Sequence, residues 1–431
     1  MRMAHNASHT RSSSLHRLQH RGFSFALIFL VALGFRSCAV ISRPETPIAD
    51  PADYHQLAVA LAEGHGYVNA TGAETAWRPP GYPAFLSVIY RVAGPSVRAA
   101  TLAQTFVGSL TVLLLMLFSS TIFGRLESMI AGCIAAIYPG LVWLPRLLLS
   151  ENLSLLLTLT MLWLVAMYLK SRRLWCLALF GAVGGLNTLV RGGNLLLPVL
   201  IGAVLFVATL RRGSPNWKPL CAGLLLATAA FIVVLTPWTM RNYRVFHRFI
   251  PIATQDGLTL YASYWPPIKN GKLIWGTLPG TEDPNVAAAT KLEDEVAASK
   301  YLQNVTLQRL REQPGYFFRL IPSKMISLLV PFDWEMLPHA AGSTRSLNVG
   351  YLLIILPSLF GLVMLMRKPR PNQWLLWVIP VMVLIQAIFF YGSPRFRLPA
   401  EPIAILLAAV SLSHFVRSRT GFLKTRPPLL G

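Results

Sequence analysis

An apolar run of membrane length lies near the start of the chain, where residues 23–40 read FSFALIFLVALGFRSCAV. Residues 50–54 follow soon after it and read DPADY, with carboxylates at Asp50 and Asp53. A helix of roughly 18 apolar residues is long enough to cross the hydrocarbon core of a bilayer, which is about 30 Å thick. The two stretches together indicate a carboxylate placed just outside a membrane span.

Similar apolar runs recur along the whole chain. Its 431 residues are 54% hydrophobic and 13% charged, whereas soluble domains carry about 25% charged residues. We therefore predict an all-α, polytopic integral membrane protein with about ten transmembrane helices. The predicted spans are residues 23–40, 98–123, 128–144, 152–169, 174–190, 194–210, 217–237, 349–366, 374–391 and 398–416.

The net charge of +22 is explained by membrane orientation and not by nucleic-acid binding. Of the 17 acidic residues only Glu127 falls in a segment assigned to the cytoplasm, and that side is rich in arginine and lysine. This distribution follows the positive-inside rule, and the basic side also attracts anionic membrane lipids. We predict a multi-pass protein of the inner (plasma) membrane, with both termini in the cytoplasm and no nucleic-acid partner.

Two long extra-cytoplasmic segments interrupt the predicted membrane domain, which spans residues 23–416. They are a first periplasmic loop at 41–97 and a large periplasmic loop at 238–348. Residues 1–22 are predicted to be a disordered cytoplasmic tail and residues 417–431 a second cytoplasmic tail, because both are polar or basic.

Both long loops are predicted to carry helices that lie in the membrane interface. In the first loop Tyr54, Leu57, Ala58 and Leu61 are spaced for one helix face. In the large loop residues 285–313 read as a second helix. Residues 316–330 are apolar but contain a proline and a lysine, so we expect them to lie in the interface or to re-enter, not to cross.

Two carboxylates on the external side are candidates for chemistry. Asp50 precedes Pro51, which fits a helix N-cap with proline at the first helical position, and it also fits a general base. Glu151 opens the fourth span, where it fits a carboxylate that caps the helix or a second acid of a site. Asp53 reads as a solvated residue of the same helix as Asp50.

Several arginines lie at external span ends, against the positive-inside trend. Charges next to hydrocarbon are costly unless they are paired or functional, and arginine binds phosphate with two parallel hydrogen bonds. Snorkelling to the interface is the alternative explanation. The sequence contains no Gly-x-x-x-x-Gly-Lys or Gly-x-Gly-x-x-Gly loop, so a donor arriving through the membrane is expected in place of a nucleotide. The arginines are Arg78, Arg191, Arg241, Arg395 and Arg397.

Five stretches in order resemble motifs of the C-type, multi-spanning glycosyltransferases that use polyprenyl-phosphate sugars. This group includes protein O-mannosyltransferases and lipid A aminoarabinose transferases. The stretches are Asp50-x-x-x-Tyr54 with Gly64-His-Gly66-Tyr67, Arg78-Pro-Pro-Gly81-Tyr82-Pro83, Tyr138-Pro139 through Ser150-Glu151, Pro237-Trp238-x-x-Arg241-Asn242, and Arg395-x-Arg397-x-Pro399.

The resemblance implies an inverting glycosyltransferase that moves a sugar from a polyprenyl phosphate to an acceptor hydroxyl on the periplasmic face. In a bacterium the carrier would be undecaprenyl phosphate, and the acceptor a glycan, a lipid or a protein. It implies Asp50 as the general base and Glu151 as a second catalytic acid. The substrate-binding residues that it implies are Tyr54, Arg78, Tyr82, Arg241, Arg395 and Arg397.

One position departs from the aminoarabinose branch of this family. There a glutamate precedes the basic residue of the Pro-Pro turn and helps to hold a metal, and here that place is Trp77. A divalent metal is therefore left open by the sequence.

A polytopic transporter or lipid flippase is the alternative function. Such proteins commonly have broken helices in matching halves and ionisable groups near the membrane midplane. In this chain the external charges gather at one membrane face and no repeat of halves is visible, which favours the transferase.

Overall fold

The computed structural model describes residues 2–42, 46–211, 217–265, 268–269, 272–273, 279–292, 294–331, 348–390 and 392–419. Side chains are described from residue 22 onward, except in the strand pair. The helices are α1 Arg2–Ser42, α2 Asp50–Ala62, α3 Gly81–Ala93, α4 Val97–Ile122, α5 Arg125–Ile137, α6 Pro139–Trp143, α7 Ser150–Ser171, α8 Trp175–Val190, α9 Leu196–Arg211, α10 Trp217–Phe246, α11 Asp256–Ser263, α12 Pro284–Ala289, α13 Glu295–Glu312, α14 Pro314–Leu329, α15 Val349–Arg367, α16 Leu375–Phe389, α17 Pro394–Arg397 and α18 Glu401–Arg419. Three short 3₁₀ helices are Leu144–Arg146, Gly192–Asn194 and Leu398–Ala400, and strands β1 Ile268–Lys269 and β2 Lys272–Leu273 pair antiparallel.

Membrane-length helices dominate the part of the chain that the structure describes. Seven are long and apolar enough to cross a bilayer, and α5 with α6 and the following 3₁₀ turn makes an eighth if this bent pair is one span. Helices α8 and α16 are apolar but have 16 and 15 residues, which at 1.5 Å per residue is shorter than a bilayer core of about 30 Å. The all-α, multi-pass prediction is confirmed, while fewer than the ten predicted spans have full membrane length.

The two long loops differ in detail from the sequence reading. Helix α2 covers the predicted interfacial helix and buries its predicted apolar face. The second predicted helix, residues 285–313, is instead two helices, because Asp294 caps α13 by accepting a hydrogen bond from the backbone of Ala297. Residues 316–330 fall largely in α14, which is too short to count among the long spans.

The predicted terminal tails are only partly within the described residues. Helix α1 begins at Arg2, so its backbone runs through the segment predicted to be disordered. Helix α18 ends at Arg419, and residues 420–431 lie outside the described part of the chain. The same is true of residues 332–347 in the large loop.

A buried arginine explains how the chain bends inside the bundle. Helices α5 and α6 are bent by 57° at Tyr138-Pro139, where proline disfavours continuation of the helix. Arg36 of α1 is fully buried and donates to the carbonyls of Ala135 and Ala136 at 3.1 and 3.2 Å. These carbonyls belong to the last turn of α5, which a helix end leaves without intrahelical partners. Arg36 therefore stabilises the bend that carries the chain back to the start of α7.

Helices α2 and α3 pack against each other, and α3 also packs against α4 and α8. Helix α4 packs against α1, α5 and α7, and α18 packs against α5 and α15. A separate apolar cluster joins Tyr54 of α2 and Tyr82 of α3 to residues 147–149, which precede α7. This cluster brings the first residues of α2 close to the first residues of α7.

A glycine sets the distance between α3 and α8. A Cβ built on Gly81 would lie 2.8 Å from backbone atoms of Leu189 and Val190. Backbone atoms cannot turn away as a flexible side chain does, so a methyl group here must push the helices apart. Gly81 thereby holds the Arg78 turn beside the end of α8.

We expect Gly81→Ala to destabilise the protein by about 1–3 kcal/mol, the usual cost of overpacking, and to lower the thermal unfolding midpoint in detergent. The matched control is Gly315→Ala, also in a first helical turn, where a Cβ would meet no atom within 4 Å. Alanine is the better helix former, so this control should be neutral or slightly stabilising. Equal midpoints for the two variants would contradict the close approach at Gly81.

Candidate active site

Asp50 is the first residue of α2, and both of its carboxylate oxygens are occupied by arginine. Oδ1 accepts from Arg78 Nη2 at 2.6 Å, and Oδ2 accepts from Arg395 Nη1 at 2.8 Å. The N-cap position belongs to Ala49, and no side chain caps the helix. The capping interpretation of Asp50 is therefore wrong, and its carboxylate faces guanidinium groups that are distant in sequence.

The backbone just before Asp50 is strained. Ala49 has φ 53° and ψ −128°, a region that residues with a Cβ rarely occupy. Such conformations cost on the order of 1–3 kcal/mol and concentrate at functional sites. Here the strained residue starts α2 so that Asp50 lies next to the arginines.

Arg78 is held on three sides by side chains. Beyond Asp50, its Nε and Nη2 donate to Asp53 Oδ2 at 3.1 and 2.7 Å, and its Nη1 donates to Gln255 at 2.8 Å. The guanidinium also lies 5.3 Å from the ring centre of Tyr54, within cation–π range. Only 9% of the Arg78 side chain is exposed, so it is a fixed cation at this site.

Arg395 joins the two candidate acids. Besides the contact to Asp50, its Nε donates to Oε1 of Glu151. Glu151 is buried, and the same oxygen lies 2.7 Å from Arg191 Nη1. The structure thus brings Asp50, Glu151, Arg78, Arg191 and Arg395 into one continuous network, which we call the ionic cluster.

The chain leading to Glu151 is fixed by Gln104 of α4. Its amide nitrogen donates to the carbonyls of Pro145 and Leu147 at 3.2 and 2.8 Å. Its backbone carbonyl accepts from Asn152 at 2.8 Å. Glu151 is also in the first turn of α7, where the helix dipole favours a negative charge. Its carboxylate is therefore set in place by backbone as well as by ion pairs.

The charges of this region balance, and the balance keeps Asp50 ionised. Asp53 adds a third acid to the ionic cluster, so three carboxylates face three guanidiniums. Burial by itself raises the pKa of Asp50, but the guanidiniums of Arg395 and Arg78 outweigh burial and hold that pKa below its usual value. A free carboxylate is what a general base needs, yet both of its oxygens are already hydrogen-bonded.

The two predicted tyrosines have different positions. Tyr54 lies under Arg78 and beside the ionic cluster. Tyr82 is fully buried below it, with its ring centre 5.0 Å from that of Tyr54, and its hydroxyl donates to Gln104 at 2.9 Å. The contacts of Tyr82 are those of a packing residue that supports Tyr54.

Arg241 and Arg397 lie outside the ionic cluster. Arg241 donates to the carbonyls of Tyr67 and Thr75 and so holds the segment before Arg78. Arg397 is buried, pairs with Glu401 at 3.2 Å and donates to the carbonyls at the end of α14. Both arginines stabilise the surroundings of the site in this structure.

A contact from the large loop also supports Arg78. Glu295, the first residue of α13, accepts from Thr75 Oγ1 at 2.7 Å and from the backbone nitrogen of Ala76 at 2.5 Å. Because these residues immediately precede Trp77 and Arg78, α13 helps to fix the arginine turn.

Sequence reasoning missed three members of this site. Asp53 follows Asp50 by three residues, a helical spacing that places both on one face, and this signal was available. Arg191 was noted only as one of several external arginines. Gln255 carries no sequence signal, because its contact with Arg78 joins residues far apart in the chain.

A cleft between α7, α9 and α16 adjoins the ionic cluster, because Glu151 and Arg191 are among its lining residues. Its other lining residues are polar or apolar. The polar ones include Thr158, Asn194 and Gln386, and the apolar ones include Leu155, Leu197, Ile379, Met382 and Val383. The cleft therefore combines charged, polar and apolar side chains.

The residues present do not fit a resident divalent metal. Within the described ranges, no group of three or more histidine, cysteine, aspartate or glutamate residues could hold a metal ion. The guanidinium of Arg395 instead lies between the carboxylates of Asp50 and Glu151. Arginine supplies the cationic charge at this position.

Comparisons with known proteins agree with this architecture. Residues 77–238, less than half of the chain, match the family model described as dolichyl-phosphate-mannose-protein mannosyltransferase. A sequence search of curated proteins found no match. Three solved structures are similar over most of the chain.

One is the oligosaccharyltransferase AglB from Archaeoglobus fulgidus in complex with an inhibitory peptide and a dolichol-phosphate. Its TM-score is 0.55 at 12% identity, over 94% of this chain and 52% of that one. The oligosaccharyltransferase of the same organism in complex with Zn and sulfate gives 0.56 at 14% identity, over 92% and 50%. ArnT from Cupriavidus metallidurans bound to undecaprenyl phosphate gives 0.47 at 16% identity, over 94% and 81%.

The chain has the fold of the archaeal oligosaccharyltransferase. It spans about half the length of that protein. The resemblance to C-type, multi-spanning glycosyltransferases, which the sequence motifs indicated, is confirmed by the family match together with this shared fold.

Proposed function

We propose that the protein is an inverting glycosyltransferase that transfers a sugar from a polyprenyl phosphate to an acceptor hydroxyl on the periplasmic face. The observation that carries the proposal is the ionic cluster. It holds a half-buried, ionised Asp50 against Arg78 and Arg395. A reaction that needs both a base and a site for a phosphate leaving group fits this arrangement.

In the proposed reaction Asp50 accepts the proton of the acceptor hydroxyl while that oxygen attacks the anomeric carbon of the donor. The bond between the anomeric carbon and the phosphate oxygen breaks, and the lipid phosphate leaves with the electron pair. One displacement inverts the anomeric configuration. Arg78 and Arg395 would stabilise the growing charge on the phosphate, an effect that is largest where water is excluded.

The proposed role of Glu151 differs from that of Asp50. It contacts Arg191 and Arg395 and is buried, so it would orient guanidiniums and not touch the acceptor. Tyr54 would hold Arg78 in position through its cation–π contact with the guanidinium. Arg241, Arg397 and Tyr82 would act indirectly, through the backbone and the aromatic packing around the site.

The cleft beside Glu151 supports a lipid donor. Its lining includes Arg191, which suits a phosphate, and apolar side chains of α7, α9 and α16, which suit contact with an isoprenoid chain. In a bacterium this lipid would be undecaprenyl phosphate. A glycan, a lipid or a protein would supply the acceptor hydroxyl.

The proposed topology follows the charge distribution. Both termini would lie in the cytoplasm, and residues 41–97 and 238–348 would lie in the periplasm. Residues 23–416 would then form one catalytic membrane domain in the inner membrane.

The decisive experiment is in vitro transfer with purified protein in proteoliposomes and a panel of polyprenyl-phosphate sugars. We expect one donor to release polyprenyl phosphate and to give a product of inverted anomeric configuration. The uncatalysed release in empty liposomes is the control. Movement of lipid between leaflets without sugar release would instead support a flippase.

A further inference from the structure

Arg395 is the one cation of the ionic cluster that is shared by both candidate acids, Asp50 and Glu151. Each of these acids has another guanidinium, since Arg78 also contacts Asp50 and Arg191 also contacts Glu151. If Arg395 leaves, neither carboxylate loses its last positive partner. Loss of Arg78 would be different, because Arg78 is also the partner of Asp53.

Arg395 is also placed to move. It belongs to α17, a helix of four residues that follows Gly392. Its side chain is 22% exposed, whereas that of Arg78 is 9% exposed. The guanidinium of Arg395 is therefore nearer to solvent than that of Arg78.

In the structure Asp50 has no oxygen that is free of arginine, because Arg78 covers Oδ1 and Arg395 covers Oδ2. Each oxygen keeps a further lone pair for an acceptor hydroxyl, but a guanidinium that shares the oxygen lowers its basicity, so withdrawal of one arginine would make Asp50 a better base. An incoming phosphate competes for guanidinium as strongly as a carboxylate does, since both form charge-assisted hydrogen bonds.

We propose that the ion pair between Arg395 and the base Asp50 is exchangeable, so that a phosphate can take the place of Asp50 as the partner of Arg395. The phosphate of an incoming lipid draws the Arg395 guanidinium away from Asp50, Arg191 remains on Glu151, and Oδ2 of Asp50 becomes open to the acceptor hydroxyl. This inference rests on the proposed function and adds an order to it, in which the lipid donor binds before the acceptor can be deprotonated.

The electrostatics of the cluster agree with this exchange. The groups that face Asp50 are Arg78, Arg395, Glu151, Asp53 and Tyr54. Arg395 is among those that hold the pKa of Asp50 below its usual value. Its withdrawal leaves a stronger base, and this change occurs only when a phosphate is present to be displaced.

The test is a pair of cryo-EM structures of the full-length protein in nanodiscs, one with a polyprenyl monophosphate and one with the uncharged polyprenol of the same length. With the phosphate we expect Arg395 to lie beyond 4 Å, roughly the limit of an ion pair, from Asp50 Oδ2 and within hydrogen-bond distance of a phosphate oxygen. The contacts of Arg78 with Asp50 and of Arg191 with Glu151 should persist. With polyprenol Arg395 should stay on Asp50. Arg395 still bound to Asp50 beside a bound phosphate would overturn the inference.

Affinity gives a second measurement that does not depend on turnover. Arg395→Gln should weaken binding of the polyprenyl monophosphate about tenfold or more, as expected for loss of one hydrogen bond between charged groups, with little change for polyprenol. The matched control is Arg91→Gln, an exposed arginine of α3 that contacts the carbonyl of Leu61, and it should change neither. Equal affinities of the Arg395→Gln and control variants for the phosphate would count against the exchange.

The two levels of the proposal fail separately. If the phosphate displaces Arg395 but no polyprenyl-phosphate sugar is turned over, the proposed transferase is wrong and the exchange stands. If sugar is transferred while Arg395 stays on Asp50, the transferase stands and the exchange is wrong.

Discussion

Asp50→Asn is expected to reduce sugar transfer by about 10²- to 10⁴-fold, the usual contribution of a general base. The amide keeps the shape of the carboxylate but cannot accept the proton of the acceptor hydroxyl. The fold should survive, because Arg78 keeps Asp53 and Gln255 as partners, and Arg395 keeps Glu151. Single-turnover transfer by purified protein, with the thermal unfolding midpoint measured on the same sample, is the test.

Asp53→Asn is the matched control for this prediction. Asp53 makes the same kind of contact with Arg78, but its side chain is 42% exposed, against 23% for Asp50. We expect the rate to fall less than tenfold, in the range of a weakened surface ion pair. A larger loss for Asp53→Asn than for Asp50→Asn would show that the wrong carboxylate has been assigned as the base.

Much of the fold was predictable because apolar runs report helices directly. Every predicted span corresponds to a helix or to the bent pair of α5 and α6. The bounds of α8 and α16 lie within two residues of the predicted spans 174–190 and 374–391. The 3₁₀ turn Gly192–Asn194 follows the end of α8, and α16 ends at Phe389.

The part of the site that could be predicted consists of residues in the sequence motifs that contact each other directly. Asp50 and Arg78 lie in neighbouring motifs and do meet. Arg395 and Arg397 were given the same role, yet they are two residues apart on one helical turn. At about 100° per residue they point in directions roughly 200° apart. Only one of them can therefore face the ionic cluster, and the other pairs with Glu401.

The role of Arg241 depended on partners that sequence does not reveal. Its guanidinium bonds to the backbone carbonyls of Tyr67 and Thr75, which lie more than 160 residues earlier in the chain. Every residue has a backbone carbonyl, so the amino-acid sequence does not indicate which carbonyls will accept a hydrogen bond from an arginine. For this reason an arginine that binds backbone and an arginine that binds phosphate look the same in the sequence.

Glu151→Gln is expected to destabilise the protein by about 3 kcal/mol, because removing one partner of a buried ion pair leaves an uncompensated charge. Glu151 is 2% exposed, and Arg191 has no second acid among its described ion pairs, while Arg395 retains Asp50. The cost therefore falls mainly on Arg191. Transfer should also slow, because Arg395 loses the contact that places it.

The control for Glu151 is Glu63→Gln. The Glu63 side chain is 52% exposed beside His65, and an exposed substitution of this kind usually changes stability by less than about 0.5 kcal/mol. The double variant Glu151→Gln with Arg191→Gln should recover part of the lost stability, since it removes the orphaned charge as well. If Glu151→Gln unfolds at the same midpoint as Glu63→Gln, the buried carboxylate is not what holds Arg191 and Arg395 in place, and the ionic cluster must owe its geometry to the backbone around it.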